Sequence, residues 1–289
     1  MIPDPSLWQC HYAVIGWPVA HSLSPQLQNA AFEYYRLGAP YGKCAVPPEE
    51  LNDFAANART RLAGFNVTVP HKRQIIAALD EITPEAETVQ SVNTVSVRSG
   101  RLYGDSTDGY GLAMALQDAF ALPVAGHAFC FLGAGGAAQA AAGYFATHRA
   151  KELFIVNRSI ARAADLAERL NGLCPSCRCH AVAASDLPAV RRAVAAAEVV
   201  IQATSLGLRP DDPPPLSETV LAEAKRCFDT IYHPTAFQRA AAGRGIPVAD
   251  GRGMLLHQGA RSFELWTGKP APVEAMRAAL EEAIRRNRQ

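Results

Sequence analysis

The sequence predicts an α/β protein in two parts, and three observations carry that reading. Through roughly the first hundred residues, apolar runs with strand-like alternation are interleaved with stretches of helical spacing. A turn-rich join at residues 122–127 interrupts the pattern, which restarts near Ala128. There an apolar run passes through a glycine-rich turn straight into an alanine-rich helical stretch.

The elements follow in order. Residues 11–16 read as a strand and 17–25 as a loop. Residues 25–38 have helical spacing, with Leu27, Ala30, Ala31 and Tyr34 on one face and Gly38 as the stop. Residues 41–47 are a second strand, 48–63 a second helix, 64–70 a third strand and 71–80 a third helix. Residues 91–105 form a hairpin around Ser99 and Gly100. A helix over 111–121 leads to the join. Beyond it, strands at 127–133, 152–157, 179–183, 198–204, 226–232 and 246–250 alternate with helices at 135–148, 160–172, 186–197 and 235–245. The stretch 253–268 and a helix over 273–287 close the chain.

Composition bounds the function. The 289 residues suit one large domain or two of ordinary size, and 49% apolar against 19% charged residues supports a packed core. A net charge of +1 offers no footprint for nucleic acid or an acidic membrane. No apolar run reaches the roughly 18 residues that span a bilayer, and the N-terminal MIPDPSLWQCHY is not a secretory signal. A cytoplasmic protein is expected. The cysteine count is seven, which suits free thiols rather than a disulfide framework. Cys174, Cys177, Cys179 and His180 could supply four zinc ligands, but no second pair supports them, so the segment reads as a surface loop without metal.

The stretch GFNVTVPHK, residues 64–72, poses a question. Alternation puts Phe65, Val67 and Val69 on a core face and Asn66 and Thr68 on the other. Pro70 ends the strand and Lys72 opens the next helix. The chain has only five lysines, and lysine, unlike arginine, can be tuned to release its proton. Other polar clusters sit in loops, where chemistry concentrates. Ser22 and Ser24 lie just ahead of a helix start, a place to hold a carboxylate; helix capping would explain Ser24 and leave Ser22 without a role. Asn93 and the run Ser106, Thr107, Asp108 read blandly as turn residues. A hydride transfer between alcohol and ketone needs a proton partner on the oxygen, and a lysine with an adjacent carboxylate can provide it.

A nucleotide site is better marked. Gly133, Ala134, Gly135, Gly136, Ala137 and Ala138 give the G-x-G-x-x-G/A form between strand and helix, the Rossmann arrangement. Gly133 allows the tight turn, Gly135 lets a pyrophosphate approach, and the helix start offers N–H groups. The next strand ends at Asn157, Arg158 and Ser159, with Arg162 beyond. An acid there would favour NAD; arginine suits a 2′-phosphate, so the cofactor reads as NADP. The bland alternative is a set of solvated charges at a helix start.

The stretches IGWPVAHSLSP, GFNVTVPHK, VNT, GDSTDG, LGAGGAA, NRS, ATSLG and GMLLHQGARSFELWTG resemble, in content and order, those of the shikimate dehydrogenases. The resemblance covers nearly the whole chain. It implies an N-terminal α/β substrate domain, residues 1–108 completed by 252–289, and a Rossmann NADP domain, 109–251, separated by a cleft. It implies reversible reduction of 3-dehydroshikimate to shikimate in aromatic amino-acid biosynthesis, with a small-molecule substrate and a monomer or homodimer. Lys72 and Asp108 would be the catalytic pair. Ser22 and Ser24 would hold the substrate carboxylate; Asn66, Thr68, Asn93, Tyr232 and Gln258 would bond its hydroxyls or carboxylate. Gly133 to Ala137, Asn157, Arg158, Ser159 and Arg162 would hold NADP, with Thr230 and Gly251 at the nicotinamide end. Ser106 and Gln202 stand where that family usually has Asn, Asp250 replaces another Asn, and YHPTAFQRA lacks the usual Thr-Pro-Leu. These departures raise the alternative of a paralogue acting on quinate, an aminoshikimate or a related cyclic polyol acid; a separate alternative, of another class, is a non-catalytic nucleotide-binding regulator. The regulator would be expected to lack Lys72 or Asp108, and both are present.

Overall fold

The computed structural model describes residues 10–286, so the N-terminal segment discussed above lies mostly outside the described residues. The chain divides into two compact units. One runs to Gly111 and resumes at Leu255; the other is Leu112–Met254.

The first unit opens with β1 (Tyr12–Gly16), α1 (Ser24–Tyr34), β2 (Tyr41–Ala45), α2 (Leu51–Arg61) and β3 (Gly64–Val67). Then come β4 (Glu81–Ile82), α3 (Pro84–Val89), β5 (Thr94–Arg98) and β6 (Arg101–Asp105). The six strands form one sheet in the order β2-β1-β3-β5-β6-β4. β1 pairs in parallel with β2 and β3, whereas β5 runs antiparallel to both β3 and β6. The β5–β6 hairpin turns at Ser99 and Gly100, both at positive φ (50° and 74°), which matches the right-handed twist of the strands it joins. Phe54 and Phe65 meet edge to face, 5.2 Å apart, in a core shared with Ile15, Ile75 and Leu102.

The second unit is entered within α4 (Asp108–Phe120) and contains β7 (Ala128–Leu132), α5 (Gly136–Thr147), β8 (Glu152–Asn157), α6 (Ile160–Leu173) and β9 (Arg178–Ala183). It continues through α7 (Leu187–Ala196), β10 (Val199–Gln202), α8 (Glu218–Leu221), β11 (Cys227–Asp229), α9 (Ala236–Gly243) and β12 (Val248–Ala249). Its strands all run parallel in the order β12-β11-β10-β7-β8-β9. That is the doubly wound order of a dinucleotide-binding fold, with its reversal between β7 and β10. Alternation along β7 sends Phe129 and Phe131 to one core, against Phe145, and Cys130 and Leu132 to the other.

The chain returns to the first unit within α10 (Arg252–Thr267) and ends in α11 (Val273–Arg286). These helices are built into that unit. The Trp266 indole donates to the Val95 carbonyl at 3.0 Å, the Gln28 amide to Gly259 at 2.8 Å, and the Tyr35 hydroxyl to Pro270 at 2.8 Å.

Three expectations are corrected. Residues 71–80 are not an α-helix: the chain turns through 70–73 and makes a short 3-10 helix, Gln74–Ala78, which brings Ile75 into the core. Val69 is 69% exposed, because the strand ends at Val67 and the side chain no longer follows its alternation. The cysteine-rich segment is not a surface loop: Cys174, Cys177 and Cys179 are buried in the second unit's core, with Cys179 on β9. Burial also pushes the Cys130 and Cys227 thiols up to about 12, so both are neutral apolar fillers. No helix among the described residues is long and apolar enough to cross a membrane.

Candidate active site

In the first unit, a polar network occupies a place where a core would ordinarily be apolar. Asn66 lies on β3 between β1 and β5, opposite Val14 and Thr94. Its neighbours therefore hold it on both sides, and it is buried. Its amide nitrogen is 3.0 Å from the Asn93 carbonyl, 3.1 Å from Thr94 Oγ1 and 3.0 Å from Ser262 Oγ, and its oxygen accepts from the Tyr41 hydroxyl at 2.7 Å. A buried amide is tolerated only with its bonding capacity used in this way.

Asn93, just ahead of β5, is clamped next. Its oxygen accepts from the Thr107 N–H at 2.7 Å; its Nδ2 donates to Thr107 Oγ1 and Asp108 Oδ1, each at 2.9 Å, and approaches Gln258 Oε1 at 3.3 Å. Asp108 opens α4, where free N–H groups and the helix dipole favour an anion. Its second oxygen accepts from Lys72 Nζ at 2.5 Å. The ammonium side chain is 21% exposed and the carboxylate 6%, so one partner is anchored inside while the other reaches solvent. The Lys72 backbone is fixed as well, since its carbonyl accepts from the Val92 N–H at 2.8 Å.

Thr68 follows the strand, half-buried, its N–H bonded to the Ile15 carbonyl at 2.8 Å. A Cβ at Gly16 would stand 2.5 Å from the Thr68 methyl, so glycine is needed for that approach. Ser22 and Ser24 come together at 3.2 Å. Ser24 is the first residue of α1 rather than a residue ahead of it, and makes no cap; Ser22 Oγ accepts the Ser24 N–H at 3.3 Å. Helix capping therefore does not account for Ser24. Ser106 is buried, and its hydroxyl has no hydrogen-bond partner.

In the second unit, the turn after β7 borders a cavity of about 650 Å³. Gly133, Ala134, Gly135, Asn157 and Arg158 line it; Gly136, Ala137, Ser159 and Arg162 are not among its walls. Gly133 sits at φ 111°, where a Cβ would meet the Ala203 carbonyl at 2.9 Å. Nothing lies within 4 Å of a Cβ built at Gly135, so that glycine leaves open space where a phosphate can approach the backbone. Arg158 is exposed at the rim. The opposite wall is the turn after β10: Ala203, Thr204, Ser205, Leu206, Leu208, Arg209 and Asp212. Gln202, wholly buried, folds that turn by accepting from the Thr204 N–H at 2.9 Å and donating to the Leu206 carbonyl at 2.6 Å. The Asp212 carboxylate clasps the N–H groups of Gly207 and Arg209, and these bonds, that of Arg209 foremost, hold its pKa below the usual range.

Thr230, Tyr232 and Gly251 also belong to the second unit, away from the walls of this cavity. Gly251 packs on Thr230 so closely that a Cβ would stand 2.1 Å from the Thr230 carbonyl oxygen. Burial raises the Tyr232 phenol pKa. Asp250 accepts from the Arg252 N–H at 3.0 Å at the start of α10. Among the described residues, no three His, Cys, Asp or Glu side chains gather as a metal site.

Sequence reasoning missed Tyr41, Thr94 and Ser262 in the polar network, and the whole wall after β10. Ser262 was accessible, because it lies one helical turn beyond Gln258 on the same face. The wall was accessible too: its ATSLG follows the strand across the reversal point.

The chain is similar to known proteins along both units. Residues 14–95 match the shikimate dehydrogenase substrate binding domain, 116–208 the shikimate / quinate 5-dehydrogenase family, and 251–281 the shikimate 5′-dehydrogenase C-terminal domain. A relative from Symbiobacterium thermophilum, named shikimate dehydrogenase (NADP(+)), is 40% identical, covering 94% of this chain and 93% of its own. The crystal structure of shikimate 5-dehydrogenase from Thermus thermophilus with NADP(H) and shikimate is 35% identical, with a TM-score of 0.83 over 95% of this chain and 99% of that one. The 5-ketofructose reductase of a Gluconobacter species is 31% identical, with a TM-score of 0.83 over 94% and 98%. With matches to both units and relatives of this identity along nearly its full length, the chain belongs to the shikimate dehydrogenase family.

Proposed function

We propose that this protein is an NADP-dependent shikimate dehydrogenase that interconverts 3-dehydroshikimate and shikimate. The observation that carries the reading is the Lys72–Asp108 pair, 2.5 Å apart and embedded in a network of amides and hydroxyls. When bound, NADPH would supply the hydride in reduction, and NADP+ would receive it in oxidation. The residues present fit that cofactor, because Gly135 leaves the backbone open and Arg158 offers a guanidinium beside Asn157 for a 2′-phosphate.

Lys72 Nζ gives a proton to the substrate's carbonyl oxygen in reduction and takes one from its hydroxyl in oxidation. Asp108 holds the ammonium in place for that transfer. Asn93 fixes Asp108, and Gln258 touches Asn93, so the carboxylate has one orientation. Ser22 and Ser24 hold the substrate carboxylate; Asn66, Thr68, Asn93, Tyr232 and Gln258 bond its oxygens. Gly133 to Ala137, Asn157, Arg158, Ser159 and Arg162 serve the cofactor, with Thr230 and Gly251 at its nicotinamide end. Residues 1–108 with 252–289 form the substrate domain and 109–251 the cofactor domain.

A second reading keeps the chemistry and changes the substrate. The orphaned hydroxyl of Ser106, two residues from Asp108, offers an unused bond, and the similar 5-ketofructose reductase is named for a different carbonyl compound. A steady-state screen of shikimate, quinate and 3-amino analogues with NADP and NAD separates the two. The expected result is the highest kcat/KM for shikimate with NADP. A markedly higher value for another acid, with weak turnover of shikimate, overturns the first reading in favour of the second.

A further inference from the structure

The segment Cys174-Pro-Ser-Cys177-Arg-Cys179, between α6 and β9, has no part in the proposed chemistry and forms no metal site. It nevertheless gathers three thiols. The Cys177 N–H donates to the Cys174 carbonyl at 3.0 Å, so these two cysteines are the ends of a tight turn through Pro175 and Ser176. Turn ends of this kind lie within about 7 Å of each other at Cα, and a disulfide bridges Cα atoms up to about 6.8 Å apart. Cys177 and Cys179 flank Arg178 at the start of β9, and alternation sends both inward, with their sulfurs 3.9 Å apart.

The three thiols lie one residue below the surface. Leu173, Pro175, Ser176 and Arg178 are all exposed, while Cys174, Cys177 and Cys179 are buried beneath them. The two thirds of the cluster differ in freedom. Asn171 clasps the Cys179 backbone at both groups, accepting its N–H and donating to its carbonyl, each at 2.9 Å, and Cys179 also pairs with Leu153 on β8. Joining Cys177 to Cys179 would have to distort that strand. The turn between Cys174 and Cys177 is short and exposed, and its local opening uncovers both sulfurs. A hydrogen bond from the Cys179 thiol holds the Cys177 thiol below its usual range, against the opposing effect of burial. Cys130 and Cys227, in contrast, sit deep in the sheet with no such neighbour and stay neutral.

We propose that Cys174 and Cys177 form an oxidation site, which hydrogen peroxide converts to a disulfide, with Cys179 as hydrogen-bond donor to the attacking sulfur. The Cys177 thiolate attacks one peroxide oxygen; the O–O bond breaks, an S–O bond forms, and the departing hydroxide leaves as water with the proton Cys177 gave up. Cys177 is then a sulfenic acid. The Cys174 sulfur attacks the Cys177 sulfur, the S–O bond breaks, and the hydroxide leaves as a second water with the Cys174 proton. Two thiols lose two electrons in all, and one peroxide becomes two waters. The bond closes at the start of β9, beside the start of β8 at Leu153, whereas Asn157 lies at the other end of β8.

The test treats the reduced full-length protein with hydrogen peroxide, alkylates the remaining thiols after denaturation, and maps tryptic peptides over time. Trypsin cuts after Arg169 and Arg178, so Cys174 and Cys177 share the peptide 170–178 and Cys179 begins the next. The expected product is that single peptide, unalkylated and lighter by two hydrogens. It should form at least about tenfold faster than Cys10, the one cysteine that is not buried, is oxidised. Cys179→Ala should slow it about tenfold. Cys174→Ala should halt the reaction at the sulfenic acid, trapped on Cys177 by dimedone. A bond joining peptide 170–178 to the peptide that begins at Cys179 overturns the proposal. So does oxidation of Cys177 no faster than that of Cys10, or a rate unchanged in Cys179→Ala. The wild-type map decides the matter even where a variant does not fold.

Discussion

Lys72 is placed by three things: the turn that ends its strand, the Val92 N–H on its own carbonyl, and the Asp108 carboxylate on its ammonium. Its backbone is thus held independently of its charge. Lys72→Ala should therefore leave the fold intact and lower kcat by about a hundredfold or more, with the shikimate KM changed only severalfold, because a transition-state role is lost. Near-normal kcat would remove Lys72 from the chemistry. Arg158 gives a second residue-scale expectation. Its exposed guanidinium lines the cavity beside Asn157, so Arg158→Ala should weaken NADP about tenfold and hardly change NAD. Equal losses for both, measured by titration, would contradict the 2′-phosphate reading. The sequence marked Lys72, Asp108 and Asn93 as polar residues in unusual places, but it could not mark Tyr41. A tyrosine at a strand start reads as ordinary core, and only the bond from its hydroxyl to Asn66 sets it apart.

At the level of elements, long periodic stretches were legible and short ones were not. The Ser99–Gly100 hairpin and α5, α6, α7 and α11 carry periods long enough to read. β4 has two residues and α3 six, too few for any period, and the turn through 70–73 replaced an expected helix because tertiary packing of Ile75 decides it. The missed helix α3 holds a titratable group. Burial, and then the negative charge of Asp105, raise the Glu85 carboxyl to about 7 against the opposing pull of Arg261. In the unfolded chain it loses its proton near 4.5. The folded protein therefore holds the extra proton between those values, and stability falls as pH rises from about 4.5 through about 7. Glu85→Gln should flatten that part of the Tm–pH curve and raise Tm above pH 7; an unchanged slope would show that Glu85 does not titrate there.

For the molecule as a whole, alternation predicted two α/β parts, and the family resemblance predicted that the C-terminal helices return to the first. The second unit is one continuous segment, whereas the first is assembled from both ends of the chain. The reason is in the contacts: α10 brings Ser262 to Asn66 and Trp266 to β5, and Gly64 is so close to the Trp266 indole that a Cβ would stand 2.5 Å from its nitrogen. A chain ended after Met254 should therefore keep a folded, NADP-binding second unit while the first exposes its amides. Limited proteolysis should leave a protected fragment near residues 112–254 and degrade residues before Gly111. Equal protection of both would show that the first unit stands without its C-terminal helices.

The same discontinuity has a consequence for the growing polypeptide. On the ribosome the amino end emerges first, and domains generally fold in that order. Here the early segment must wait until Leu255 and the residues after it have left the exit tunnel, while the later segment can already be complete. Newborn chains thus carry a sheet whose strands are all made but which α10 and α11 do not yet cover, with the polar face around Asn66 exposed, until those helices have been synthesised. Any chaperone that attends this protein during translation would meet it at the segment before Gly111.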